Sequence, residues 1–269
     1  SSVFLGTNSG SQDDGGSNWN TALGVSALRL NTSGKSNTAI GNRALDFNTT
    51  GQANTATGFM TLQANQTGES NSAFGYRSLY VNTASFNTGL GSNTLFKNTS
   101  GTHNTASGSG AMSQNKTGSF NTATGANALY GALTGASGSE NTATGYRSLL
   151  RNRAGCRNTA IGNNTLEFNN NGNENVALGY SALFSNKDEA SYNTGLGSRA
   201  AIKNTTGNYN TAVGFSSLLD NKTGTLNTAI GAQALENNTA SVNTAVGFFA
   251  LGNNVDGTGN TATGTYAAR

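Results

Sequence analysis

The sequence predicts an all-β fold, a β-solenoid or parallel β-roll of about sixteen 17-residue coils that occupies residues 1–269 as one repeat domain. Three observations carry this. The pentad Asn-Thr-Ala-x-Gly recurs at an almost fixed interval, the repeat joins β-branched residues to turn residues, and the composition is too poor in large apolar side chains for an ordinary globular core.

With minor variations the pentad starts at Asn20, Asn37, Asn54, Asn71, Asn87, Asn104, Asn121, Asn141, Asn158, Asn175, Asn193, Asn210, Asn227, Asn243 and Asn260. Ten of the fourteen intervals are 17 residues, two are 16, one is 18 and one is 20; Ser2 to Gly6 reads as a degenerate first copy. The unit is N-T-A-x-G-x-x-A-L-x-x-N-T-T-G-x-x, numbered from its Asn as positions 1 to 17, and Asn37 to Ala53 shows it cleanly. Such a period is too short for helical hairpin repeats, which need more than about 30 residues, and it is not a heptad. It suits one solenoid coil of two short strands and two turns. At about 4.8 Å per coil, sixteen coils make a rod roughly 75 to 80 Å long.

The pentad supplies the first strand, since Thr is β-branched and Gly bounds it. Alternation places positions 2 and 4 on one face and positions 1, 3 and 5 on the other. Position 4 is Leu, Ile, Val or Phe in ten copies, among them Ile40, Phe74, Ile161, Leu178 and Val213, and is expected to be mostly buried. Position 3 is Ala or Gly in every full copy, including Gly89 and Gly195, so another backbone must approach closely there. In the second segment position 9 is Leu in twelve copies, with Met112, Ala201 and Ala268 as exceptions, and is the clearest core ladder. Position 8 is always Ala, Ser or Thr, whereas positions 6, 7, 10 and 11 vary freely and read as surface. Asn-Thr-Thr-Gly at positions 12 to 15 is turn chemistry, and Asn at positions 1 and 12 is expected to stack on its own copies.

One Leu and one medium apolar residue make a thin core. At about 1.5 to 3 kcal/mol per buried large side chain, a coil gains little against about 1 to 2 kcal/mol per residue of backbone ordering. Association is therefore expected: the small residues at positions 3 and 8 would form flat seams in a homotrimer of parallel rods, with end-to-end continuation into a filament. The alternative is a monomer whose small residues let its two sides lie close together.

The chain has 41 Asn, 37 Gly, no Pro, one Cys, one His and a net charge of +3. Leu, Ile, Val and Phe number 46, roughly 17% of the chain and below the usual floor of about 20%, which by itself would suggest disorder. Near-neutrality and strict periodicity argue otherwise. Cys156 alone cannot form an intrachain disulfide, and one thiol with one imidazole cannot build a Cys/His zinc site. No basic run exceeds two residues, so no nucleic-acid partner is expected; no apolar run is long enough to insert in a membrane. The first residues lack a basic region and an apolar leader, which reads as a mature or excised segment of a longer fibre.

The Asn-Thr-Ala-Ile-Gly and Asn-Thr-Ala-Val-Gly pentads resemble the N-S-V-A-I-G motif in the heads of trimeric autotransporter adhesins, which are left-handed parallel β-rolls. The whole unit is similar to NTAVGYxALxxNTTGxx repeats of phage tail-fibre-like and related bacterial surface proteins. The likeness covers essentially the whole chain, and its longer coil argues for an enlarged turn around Asn-Thr-Thr-Gly. What it implies is an extended extracellular trimeric fibre segment, on a virion tail or cell surface, giving reach and multivalent receptor or glycan binding.

His103 and Cys156 occupy variable turn positions in different coils and read as non-catalytic, so neither enzymatic activity nor a cofactor is expected. Gln12-Asp13-Asp14-Gly15-Gly16 resembles a fragment of a calcium loop but occurs once, and a polar turn explains it. Asn-x-Ser/Thr sequons recur with the repeat at Asn31, Asn48, Asn65, Asn98, Asn115, Asn204, Asn221 and Asn237. Exposed aromatic rows are the candidate glycan-binding residues: Tyr76, Tyr146 and Tyr180 at position 6, and Trp19, Tyr192 and Tyr209 just before the pentad. The same rings could instead pack across a seam. A rival function is ice binding, which needs flat Thr ladders. Thr stands at both positions 2 and 4 only in Thr55/Thr57, Thr122/Thr124, Thr142/Thr144 and Thr261/Thr263.

Overall fold

Each pentad forms a three-residue strand, held extended by Thr and its apolar neighbour and ended by Gly at position 5. The computed structural model describes residues 1–131 and 135–269, which form two units, Ser1–Ser137 and Gly138–Arg269. The first contains β1 (Val3–Leu5), β2 (Thr21–Leu23), β3 (Thr38–Ile40), β4 (Thr55–Thr57), β5 (Ser72–Phe74), β6 (Thr88–Leu90), β7 (Thr105–Ser107) and β8 (Thr122–Thr124). The second contains β9 (Thr142–Thr144), β10 (Thr159–Ile161), β11 (Val176–Leu178), β12 (Thr194–Leu196), β13 (Thr211–Val213), β14 (Thr228–Ile230), β15 (Thr244–Val246) and β16 (Thr261–Thr263). Within each unit every strand pairs in parallel with its sequence neighbours, equivalent position facing equivalent position, as in Thr159↔Val176, Ala160↔Ala177 and Ile161↔Leu178. This is the β-solenoid expected from the repeat.

Among the described residues each coil forms one strand, not two. Positions 5 to 11 make an arc in which the backbone turns left-handed at position 7 and again at position 9, with φ of 57° at Arg43 and 50° at Leu45. The arc still bonds to both neighbouring coils. Gly41 and Arg43 donate to the preceding coil, at Leu23 and Val25 (2.8 and 2.9 Å). Leu45 and Phe47 donate to the following one, at Thr61 and Gln63 (3.0 Å each). Backbone pairing thus continues outside the strand, and it offsets the cost of left-handed φ in residues that carry a Cβ.

The interior is half apolar and half amide. Leu28, Leu45, Leu62, Leu79, Leu95, Leu149, Leu166, Leu183, Leu218 and Leu235 at position 9 are fully buried, as expected, with Ala at positions 3 and 8 packed against them. Asn at positions 1 and 12 forms the two expected ladders. Asn54 accepts at Oδ1 from the backbone N (3.0 Å) and Nδ2 (3.1 Å) of Asn71. Asn65 donates from Nδ2 to Asn48 Oδ1 at 3.0 Å. Both columns also donate to the position 15 carbonyl of their own coil, as Asn54 and Asn65 do to Gly68 O (2.8 and 3.0 Å). Apart from Asn65 and Asn221 Oδ1, which have no partner, these buried amides are satisfied largely by their own copies and by position 15 carbonyls, which is how the chain folds with so few large apolar residues.

Two expectations fail for one reason. With Asn 1 and Ala 3 pointing inward, alternation sends positions 2 and 4 outward, so Ile40, Phe74, Ile161 and Leu178 are exposed rather than buried. Conversely, the small residues at positions 3 and 8 are not seams against other chains. Ala39, Ala44, Ala160 and Ala182 are 0% exposed in a single chain, because they let the strand and the arc approach each other.

The first coil tests that packing by exchange. Phe4 stands at position 3 and Gly10 at position 9, and a Cβ on Gly10 would strike the Phe4 ring. The large and small residues have traded places across the same interior space.

Length variation is absorbed between positions 12 and 17. In the 18-residue coil Asp188 turns left-handed, and Ala190 O takes over the role of the position 15 carbonyl, receiving Asn175 and Asn186 Nδ2 at 2.9 and 2.8 Å. In the 16-residue coil from Asn71, Ala84 O does the same for Asn71 and Asn82 (2.8 and 2.7 Å). The 20-residue coil from Asn121 contains the division between the units, and Ala132, Leu133 and Thr134 of its insertion lie outside the described residues.

Candidate functional site

The outer strand face is the most regular surface of each unit. Because strands stack in register within each unit, position 2 forms in each a column of Thr, interrupted by Val3 and Ser72 in the first and by Val176 in the second, and position 4 a parallel column of Leu, Ile, Val, Phe, Thr or Ser. None of these residues is charged, although charged residues make up 10% of the chain. Leu90 is 53% exposed, and Leu23, Leu178 and Ile230 are likewise open to solvent. An exposed apolar column beside a hydroxyl column is unusual for a surface that meets only water.

Position 17 borders this face. It is left-handed in φ from Trp19 to Val242, and its side chains point outward. Phe86, His103 and Phe120 form a stack of three rings with centroids 4.9 Å apart at each step. His103 is therefore a middle ring in a column. Tyr192 and Tyr209 stack at 4.8 Å with planes within 2°, and Leu226 and Val242 continue the column. Trp19 is exposed at the same position. On the other border Tyr76, Tyr146 and Tyr180 at position 6 are exposed, Tyr76 stacking on Phe59 at 5.6 Å. Arg77 and Arg147 lie over the Tyr76 and Tyr146 rings, at 5.2 and 5.3 Å. Each of the six candidate aromatics thus falls on one side or the other of the Thr column of its own unit. Trp19 and Tyr76 belong to the first unit, and Tyr146, Tyr180, Tyr192 and Tyr209 to the second.

The remaining candidates have structural partners. Asp13 stands at position 12 of the first coil, and its carboxylate accepts from Asn18, Asn20 and Asn31 Nδ2 at 3.3 to 3.4 Å. Asp14 accepts from Gly16 N at 2.8 Å and Asn18 Nδ2 at 2.7 Å, and these bonds hold its carboxyl below the ordinary value. Among the described residues no group of three His, Cys, Asp or Glu could hold a metal ion. Cys156 Sγ receives Ser139 N and donates to Ala154 O, both at 3.4 Å. Of these sequon asparagines, the seven from Asn31 to Asn221 are buried in the position 12 ladder, so their Nδ2 atoms are not open to a glycosylating enzyme. Asn237 lies just outside it and donates to Gly252 O at 2.9 Å.

Sequence reasoning missed one buried ion cluster. Asp46 at position 10 is 0% exposed and bonded by Arg29 Nε (2.8 Å) and Arg43 Nε (2.9 Å). The signal was available only as an acid at position 10 with Arg at position 10 of the previous coil and position 7 of its own. No family model and no curated protein matches this chain.

Proposed function

We propose that the chain is a stretch of extracellular fibre, from a phage tail or a bacterial surface, in which copies associate side by side as a parallel homotrimer and display exposed rings to a receptor or glycan. The observation that carries this reading is the uncharged outer strand face. Its apolar column is costly to leave in water and, unlike positions 3 and 8, is free to meet another chain. A repetitive shaft also gains avidity by presenting the same rings many times. Light scattering tests the assembly: a mass near three times 27.3 kDa is expected, reduced to one chain by Thr211→Lys with Ile230→Lys. A parent that stays at 27.3 kDa at every concentration would overturn the reading.

A second reading has an observation of its own. The Thr column is outward and uncharged, and Thr57, Thr124, Thr144 and Thr263 double it at position 4, a pattern suited to ordering water at an ice surface. Thermal hysteresis separates the two: activity in a monomeric chain supports ice binding, and a trimer without activity supports the fibre.

A further inference from the structure

The second unit carries a row of rings spaced two coils apart. Position 6 reads Tyr146, Asn163, Tyr180, Ser198, Phe215, Ala232 and Phe248 in successive coils, a ring alternating with a small or polar residue. The backbone keeps these positions in register. Each of these carbonyls accepts from the position 7 amide of the next coil, as Tyr146 O does from Asn164 N, Tyr180 O from Arg199 N and Phe215 O from Gln233 N (2.9, 2.9 and 2.8 Å). All four rings are open to solvent, 40 to 57% exposed. In the first unit the position 6 rings, Phe59 and Tyr76, stand instead in adjacent coils and stack on each other at 5.6 Å.

Two coil steps come to about 9.6 Å, so the four rings mark a line about 29 Å long. Exposed rings at equal intervals, with short side chains between them, suit a ligand that repeats at the same interval. An extended peptide does not, since alternate residues return to one side about every 6.8 Å. A linear β-1,4-linked glycan does. Each sugar is turned over relative to the last, so alternate sugars show the same C–H face, and a disaccharide advances nearly as far as two coils. Charge separates neutral from acidic glycans. Positions 6 and 7 of this unit carry no Asp or Glu, and their two cations, Arg147 and Arg199, stand three coils apart, out of step with an anionic chain of the same repeat.

We propose that this row binds a neutral β-1,4-linked glycan of the cellulose type, laid along the coils with alternate glucose units stacked on Tyr146, Tyr180, Phe215 and Phe248. Asn163 and Ser198 offer hydrogen-bonding groups to the units between. Exposed side chains change rotamer within nanoseconds, so a ring such as Tyr180 can turn its face to the chain. The inference rests on the display role proposed above and supplies its ligand, but it needs only one chain.

The test is calorimetry of the full chain with cellobiose, cellotetraose and cellohexaose, which by their length reach one, two and three rings. Affinity should rise about tenfold or more with each added ring. Tyr180→Ala and Phe215→Ala should each weaken cellohexaose binding about tenfold, with melting unchanged because both rings are exposed. Ser198→Tyr is the sharper variant. It adds a ring midway between Tyr180 and Phe215 and should weaken binding about tenfold by breaking the interval, whereas a merely adhesive surface would bind more tightly. Maltohexaose, whose α-1,4 linkage makes a coiled chain, should bind about tenfold less than cellohexaose or weaker still. No binding of cellohexaose, affinity that does not grow with length, equal binding of maltohexaose, or tighter binding by Ser198→Tyr would overturn the assignment. So would loss of assembly in Tyr180→Ala, which would place the row in a seam between chains. A trimer that binds no glycan overturns this inference alone, and a single chain that binds cellohexaose overturns the proposed assembly alone.

Discussion

The two halves of each coil follow opposite side-chain rules. In the strand half, positions 2 and 4 point outward and favour β-branched residues: Thr, Ile and Val fill most of both columns. In the arc, positions 7 and 9 have left-handed φ and carry no Val, Ile or Thr in any coil, although Leu, Met, Arg, Asn, Ser and Phe all occur. The difference lies in the backbone. A branched Cβ suits an extended chain but clashes in the left-handed region, whereas Leu branches one carbon further out. At position 17, also left-handed, Val242 is the single β-branched residue. Leu is thus selected at position 9 for its shape at Cβ as well as for its burial.

The largest expected effect is a charge in the arc's core. Leu149→Asp should destabilise by about 4 kcal/mol or more, seen as early unfolding of the second unit in thermal melts, since Leu149 is fully buried. Unchanged melting would mean that the Leu column is not the core. Next comes the amide ladder. Asn54→Ala should cost about 2 to 3 kcal/mol, because it orphans the Asn71 amide that bonds to Asn54 Oδ1. Denaturant titration checks this, and a cost no larger than that of an exposed Asn would remove the ladder from the list of stabilising features. On the strand half the contrast should appear as near indifference. Thr211→Lys should shift the stability of a single chain by no more than about 0.5 kcal/mol, measured at a concentration where the chain is monomeric.

The smallest effect concerns Asp14, which is fully exposed. Its carboxyl is held below the ordinary value of 3.8, first by the Gly16 amide and then by Asn18, with burial acting weakly the other way. A depressed folded-state value gives stability that is present above the unfolded value and is lost as pH falls through the lower, folded one. Asp14→Asn should therefore flatten the acid limb of a stability–pH curve slightly below about pH 4. A steeper limb in the variant would contradict the assigned bonds.

Much of the fold was legible because each repeat position is sampled in coil after coil. Invariant Asn at position 1 and near-constant Leu at position 9 identify the ladders directly. The facing of the strand was read wrongly because hydrophobicity alone placed Ile40 and Leu178 inside, whereas the Asn ladder at position 1 decides the inward face. The second strand was expected because Leu in a short repeat reads as strand. The signal for the arc is the absence of β-branched residues at positions 7 and 9.

The rule that divides the coil can be tested at two residues. At Leu149, φ is 51° and the side chain is buried; at Ile161 the strand is extended and the side chain is exposed. Leu149→Ile and Leu149→Met conserve volume, so unfolding free energies of the two variants isolate the backbone effect. The expected result is that Ile costs about 1 to 2 kcal/mol more than Met at this position, while Ile161→Val and Ile161→Met both stay within about 0.5 kcal/mol of the parent. Equal costs for Ile and Met at position 149 would contradict the left-handed arc and, with it, the placement of the Leu core.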